Sequence, residues 1–371
     1  MKYTYGMTCH LVLLINLLGG QANKSKAVKL IPVQKGSEWG YIDASGRQSI
    51  AARFEGADYF SEGLAAAKSG SRWGFIDRTG RFVIEPQYDF VHPFKDGLAL
   101  VWVGGEQGKA GWIGGEYHYI DKTGRVALKI DFDLADDFSE GMARVWHEGL
   151  CGYVNKKGEL VIELRYKFAG VFSQGLASFW SGEVYTADEL IEQEIAAYYD
   201  EYDSIFISYD GEEIEFPEGK FGYIDKTGEV KIFQDFDFAG AFSEGLANVR
   251  IGSKWGYINK DGEIVIDVAF DEALPFSGDL APVRIGEYWC YIDKNGKQVM
   301  EAQYLACGPY VDGFARVRTD RGWGYIDRKG RLVIKDDYDW ADDAYAGVMR
   351  VRRGGEWLYL NARGKVIWPS K

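Results

Sequence analysis

The chain has 371 residues, a formal net charge of −13, 15% aromatic residues, 47 glycines and only 8 prolines. That composition describes a turn-rich β protein and excludes a disordered chain, while the acidic balance opposes phosphate backbones, so nucleic acid is not an expected partner. The four cysteines, Cys9, Cys151, Cys290 and Cys307, show no CxxC spacing, which argues against a disulfide framework or a structural zinc site.

At the N-terminus Lys2 precedes the apolar run Leu11 to Leu18, and Gly20 and Ala22 stand at −3 and −1 of a possible cut before Asn23. Residues 1–22 therefore read as a signal peptide, too short to span a membrane as a stable helix. The expected location is periplasmic or secreted. A cytoplasmic chain with an apolar tail is the alternative.

From residue 28 onward the sequence is periodic. The pattern aromatic-Gly-aromatic-Ile-Asp/Asn-x-x-Gly is anchored at Trp39, Trp73, Tyr117, Cys151, Phe221, Trp255, Trp289, Trp323 and Trp357. Successive anchors are 34 residues apart, except for steps of 44 and 70, which are insertions into one register. A second block recurs about 21 residues after the anchors, as in Phe60-Ser61-Glu62-Gly63-Leu64-Ala65 and Phe242-Ser243-Glu244-Gly245-Leu246-Ala247.

Within each copy, the Asp or Asn at 43, 77, 121, 155, 225, 259, 293, 327 or 361 opens a turn by accepting from backbone amides, and the glycine three residues later closes it with φ > 0. The strand after Gly-Leu-Ala, such as Ala315 to Arg318, is expected to pair back on the anchor strand. Each unit thus offers three antiparallel strands. Residues 28–180 hold repeats 1–4 and residues 221–368 repeats 5–9.

Trp39-Gly40-Tyr41-Ile42-Asp43 and Trp323-Gly324-Tyr325-Ile326-Asp327, with their Phe-Ser-Glu-Gly-Leu-Ala blocks, resemble the WG-containing repeat family of bacteria. The resemblance covers about residues 28–367. Tyr117-His118, Cys151-Gly152, Phe221-Gly222, Trp289-Cys290 and Trp357-Leu358 depart from it as degenerate copies. It implies a fold more than a function.

Thirty-four residues are short for a four-stranded propeller blade, which takes about 40–45. The array also begins on a first strand and ends on a third, leaving no strand over to close a ring. The expected fold is all-β: an open β-solenoid-like superhelix of three-stranded units whose aromatics are buried by their neighbours. A β-propeller is the alternative.

The first insertion, residues 103–116, is glycine-rich and reads as a flexible loop. The second, residues 181–220, carries 13 acidic residues and one basic one. Thr186-Ala187-Asp188-Glu189 there fits a capping box, and Ile191, Ile195, Tyr198 and Tyr202 form a helical stripe, so a short helical insertion with an acidic face is expected.

Asp121-Lys122-Thr123-Gly124 and Asp225-Lys226-Thr227-Gly228 look like the phosphorylated signature of cation pumps, but both are the repeat's hairpin turn. Glu62, Asp96, Glu140, Glu244 and Asp312 offer carboxylate pairs of glycosidase type, yet their periodic recurrence points to turn or capping work. His92, His118 and His147 show no metal spacing. No catalytic group, metal site or cofactor is expected.

Candidate ligand contacts lie in the column five residues before most anchors. It runs Gln34, Lys68, Trp102, Trp146, Trp180, Arg250, Arg284, Arg318, Arg352. The preceding residue is apolar, so strand alternation puts the two columns on opposite faces. Tryptophans suit sugar rings or partner side chains, and arginines suit carboxylates or phosphates. The competing reading makes the tryptophans a second apolar layer and pairs the arginines with nearby acids. The expected function is a non-catalytic scaffold that binds a protein or an envelope glycan. A carbohydrate-active enzyme and a structural spacer are the alternatives.

Overall fold

A computed structural model describes residues 29–108, 111–113, 115–182 and 219–369. The segments expected to form a signal peptide and a short acidic helix lie outside the described residues. Every regular element among the described residues is a β-strand.

The repeat folds into nine small antiparallel meanders, here sheets 1 to 9, built from residues 31–54, 56–88, 90–103 with 116–130, 134–166, 176–180 with 221–236, 238–270, 272–293, 306–338 and 340–368. Sheet 8 shows the plan: Ala306–Cys307, Phe314–Thr319, Gly322–Asp327 and Leu332–Tyr338 pair in that order. The expected three strands are present in every sheet but sheet 7, whose third is reduced to isolated bridges, and a fourth of two residues precedes them in most copies. It was illegible because two residues carry no periodicity. The first insertion is not a plain loop: Glu106–Gly108 pairs with Gly111–Ile113.

The turn chemistry is the same in all nine copies. In sheet 8 the Gly330 amide donates to the Asp327 carbonyl at 2.9 Å, and the Lys329 and Arg331 amides donate to Asp327 Oδ1 at 2.9 and 3.0 Å. The closing glycines take φ between 73° and 87°. Four bonds converge on the equivalent Asp225 carboxylate, and these, led by the Thr227 hydroxyl, outweigh its desolvation and lower its pKa to about 2.

The glycine after each aromatic anchor has a packing cause. In sheets 1, 2, 4, 5, 6 and 8 a seven-residue third strand bulges across this position. A Cβ on Gly40, Gly74, Gly152, Gly222, Gly256 or Gly324 would come within 2.4–2.7 Å of a carbonyl oxygen of that strand. Where His118, Cys290 or Leu358 replaces the glycine, the third strand is five residues long, reduced to isolated bridges, or three residues long. The departures at His118 and Cys290 therefore mark changes of backbone, whereas Cys151-Gly152 and Phe221-Gly222 keep both the glycine and the seven-residue strand.

The chain forms two compact units, one from residues 88–182 with 219–241 and the other from residues 29–87 with 242–369. In both, consecutive sheets are joined through the tyrosine of the Tyr-Ile pair. In the first unit Tyr223 Oη donates to the Gly240 carbonyl at 2.7 Å, and in the second Tyr257 Oη donates to that of Leu274 at 2.7 Å. Both rings are fully buried, and Tyr257 packs on Phe276 with centroids 4.9 Å apart.

The second unit contains both ends of the array, and there the open superhelix fails. Tyr359 Oη, from sheet 9, donates to the Pro32 carbonyl of sheet 1 at 3.1 Å, and Trp368 Nε1 donates to that of Gln34 at 3.3 Å. The Tyr59 and Tyr345 rings meet at 4.6 Å. The last sheet thus holds the first through the carbonyl position that Tyr325 also reaches internally, at Arg350, and the fold is the β-propeller alternative. The strand count misled because closure uses side chains and packing, with no strand exchanged between the ends.

Candidate functional site

Much of the polar inventory is consumed in holding the sheets together. Glu62, Asp96, Glu140, Glu244 and Asp312 all occupy the first position of a tight turn with φ between 49° and 53°. Glu140 accepts from the amides of Gln174 and Gly175 in the next sheet's turn at 2.5 and 2.9 Å, and Glu244 accepts from Gly278 and Asp279 at 2.7 and 2.9 Å. Lys226, from the pump-like tetrapeptide, bonds the Glu140 carbonyl oxygen at 2.7 Å and its carboxylate at 3.1 Å. For Asp96, Glu140 and Glu244 the geometry gives the capping reading, while Asp312 faces Lys29 at 3.5 Å.

A second acid series closes the outer hairpins. Gly70 and Ser71 donate to Glu55, Gly104 to Asp89 and Gly286 to Asp271, all within 2.7–2.9 Å. Among the described residues no group of three or more His, Cys, Asp and Glu side chains is placed to hold a metal ion. No described helix is long and apolar enough to cross a membrane.

His92 makes one ion-pair cluster. Its Nδ1 lies 2.8 Å from Asp137 Oδ1, and Lys95 Nζ lies 2.9 Å from Asp137 Oδ2. Burial pulls the His92 pKa down, but the Asp137 carboxylate more than offsets it, and the net shift is upward. A raised folded-state pKa contributes stability that is complete below the unfolded value and is lost as pH rises through the folded one. The expected result is that His92→Gln destabilises the protein at about pH 5.5 and costs less at about pH 8.5. Urea midpoints of both proteins at the two pH values check this; a cost that grows with pH contradicts it.

The proposed ligand column keeps its register. Each member faces its own anchor: Trp102 opposite Tyr117, Trp146 opposite Cys151, Trp180 opposite Phe221, and Arg250, Arg284, Arg318 and Arg352 opposite Trp255, Trp289, Trp323 and Trp357. The preceding apolar column, Ala67 through Val351, is buried as alternation requires. The three tryptophans belong to the first unit and the four arginines to the second.

The members differ in access. Trp180 is buried, and a Cβ on Gly182 would fall 1.9 Å from its Cζ2. Trp102 is half-buried on Tyr117, and a Cβ on Gly115 would fall 2.0 Å from its Nε1. These indoles thus lie against glycines at the necks of the two insertions. Trp146 is half-buried with the Arg144 guanidinium 4.5 Å above its ring. Arg284 pairs with Glu272 at 2.5 Å, whereas Arg318 and Arg352 are exposed.

Sequence reasoning missed a second surface in the second unit. A cleft of about 440 Å³ opens between the hairpins of sheets 7 and 8, lined by Tyr288, Gln303, Leu305, Thr319, Arg321 and Asp336 among others. At the matching place one sheet earlier, Lys254 Nζ pairs with Asp271 at 2.6 Å. Tyr288 and Leu305 occupy those two positions here, 42% and 46% exposed. The residue 16 after each anchor was the available signal: it reads Glu55, Asp89, Asp133, Lys167, Asp237, Asp271, Leu305, Asp339.

Comparison with known proteins adds the following. Residues 39–73, 73–105, 119–151, 152–179, 221–255, 255–289, 291–321 and 323–357, more than half of the chain, match a family described as WG containing repeat. No curated protein matches the sequence. Among solved structures, a eukaryotic initiation factor is similar with 9% identity and a TM-score of 0.58, over 92% of this chain and 95% of that one. At that identity the likeness concerns the fold alone. AztD from Citrobacter koseri is similar with 13% identity and a TM-score of 0.40, over 91% and 93% of the two chains.

Proposed function

The chain belongs to the WG-containing repeat family, and from that premise we propose that it is a non-catalytic scaffold, periplasmic or secreted, which binds a protein or an envelope glycan through its repeat face. The observation that carries this reading is a contrast within each repeat. The turn acids and the Tyr-Ile tyrosine serve a structural role from copy to copy. The column does not: it changes from tryptophan in sheets 3–5 to arginine in sheets 6–9.

Positions released from framework duty are where recognition concentrates, and exposed arginine and half-exposed tryptophan are typical anchors. Trp146, Arg318 and Arg352 are the contacts of first choice, with Trp102, Arg250 and Arg284 beside them. Trp180 is buried against Gly182 and Gly219 and stands behind the others as a candidate. The repeated acids do not favour the enzyme reading, since Glu140 and Glu244 spend their oxygens on backbone amides.

Trp146→Ala and the pair Arg318→Ala with Arg352→Ala are expected to lower capture of the native envelope partner at least tenfold with melting temperatures held within a few degrees. A pull-down from the native envelope with the three proteins reads this. Undiminished capture by both variants sinks the repeat-face reading. Sequencing the N-terminus of the mature protein tests the compartment.

A further inference from the structure

We propose that the cleft between sheets 7 and 8 is a binding site for a neutral saccharide, a surface separate from the Trp/Arg column and independent of it. The cleft exists because two framework rules fail together. Cys290 stands where the bulged third strand needs glycine, and the third strand of sheet 7 is reduced to the bridges Ile292↔Gln298 and Trp289↔Tyr304. At the same joint, Tyr288 and Leu305 replace the lysine–aspartate pair that sheet 6 supplies through Lys254 and Asp271. An ion pair is thus exchanged for an exposed aromatic ring beside an exposed aliphatic side chain, at a place where the backbone has withdrawn.

The remaining walls are polar but balanced. Asp336 is nearly fully buried and accepts from Thr319 Oγ1 at 2.7 Å and from Arg321 Nη2 at 2.7 Å. The guanidinium and the carboxylate neutralise each other, so the pair offers hydrogen bonds without net charge. Arg321 carries five N–H donors, of which Nε and one on Nη2 reach Asp336, leaving others for a ligand. The Gln303 amide adds a donor and an acceptor.

A phosphate or polycarboxylate ligand finds no unbalanced cation here, and Asp320 on the rim adds negative charge. A purely apolar ligand leaves the Gln303 and Arg321 groups unpaired. A sugar ring meets both demands, with its C–H face on Tyr288 and Leu305 and its hydroxyls on Gln303 and Arg321. A volume of about 440 Å³ sits at the lower end of small-ligand sites and suits roughly one or two rings.

The test uses the full-length protein titrated calorimetrically with maltose, cellobiose and lactose, and with glucuronic acid and a neutral tripeptide as comparators. At least one neutral disaccharide is expected to bind. Tyr288→Ala should weaken it at least tenfold. The double variant Tyr288→Lys with Leu305→Asp rebuilds the ion pair found at Lys254 and Asp271; it should keep the wild-type melting temperature and lose the sugar. Lys129→Ala, at an exposed position of the other unit that belongs to neither proposed surface, should leave the affinity unchanged, which separates loss of this site from a general loss of the fold. No heat with any of the three disaccharides at about 10 mM, tighter binding of glucuronic acid or the tripeptide, or full affinity in the double variant would overturn the proposal.

Discussion

Gly324→Ala is expected to lower stability by about 1–3 kcal/mol, and Gly324→Val by more, although neither adds polarity nor removes a contact. The new Cβ would stand 2.6 Å from the Ile334 carbonyl oxygen and 2.9 Å from both the amide nitrogen and the Cα of Asp336. All three are backbone atoms of the bulged strand, so no side-chain rotation relieves the crowding. The strand must move, and with it Asp336, which Thr319 and Arg321 hold. Urea midpoints read the effect. The sequence has already performed the complementary experiment: where His118 and Cys290 supply a Cβ, the seven-residue bulged strand is absent. An unchanged midpoint for Gly324→Val would mean that the glycine answers to something other than the bulge.

Tyr257→Ala is expected to cost about 3–5 kcal/mol and Tyr257→Phe about 1–3 kcal/mol. The ring is fully buried against Phe276, so truncation leaves a cavity at the junction of two sheets. Removal of the hydroxyl alone strands the Leu274 carbonyl, whose bond from Tyr257 Oη is 2.7 Å long. The two substitutions separate packing from hydrogen bonding at one position. A phenylalanine variant as destabilised as the alanine one would assign the whole effect to the hydroxyl. A silent phenylalanine variant would remove the inter-sheet bond from the account.

The framework was legible because it repeats. Asp327 and Gly330 recur at fixed spacing, and the structure gives each copy the same turn for the same reason. The apolar column through Val317 follows from strand alternation and is buried as that alternation demands. What stayed hidden depends on contacts far apart in sequence. Gly324 is conspicuous as a motif, but its cause is the Ile334 carbonyl on another strand. The two-residue strand Ala306–Cys307 is too short to show a period.

The site divides in the same way. The Trp/Arg column could be found as variation at a constant position. The burial of Trp180 could not, because it depends on Gly182 and Gly219, which a 36-residue gap separates in the chain. The cleft needed two coincident departures, Cys290 and Leu305, and only the fold shows that they meet at one joint. The closure was misjudged because it was sought in strand pairing, whereas Tyr359 and Trp368 join the ends with side chains.

Closure requires that a tyrosine hydroxyl tie the last sheet to the first as tyrosine hydroxyls tie internal neighbours. Equilibrium unfolding of Tyr359→Phe beside Tyr257→Phe tests that directly. If Tyr359 holds the Pro32 carbonyl as Tyr257 holds that of Leu274, the two variants lose stability by similar amounts, about 1–3 kcal/mol each. A Tyr359→Phe protein with wild-type stability, beside a clearly destabilised Tyr257→Phe, would show the array open at its ends.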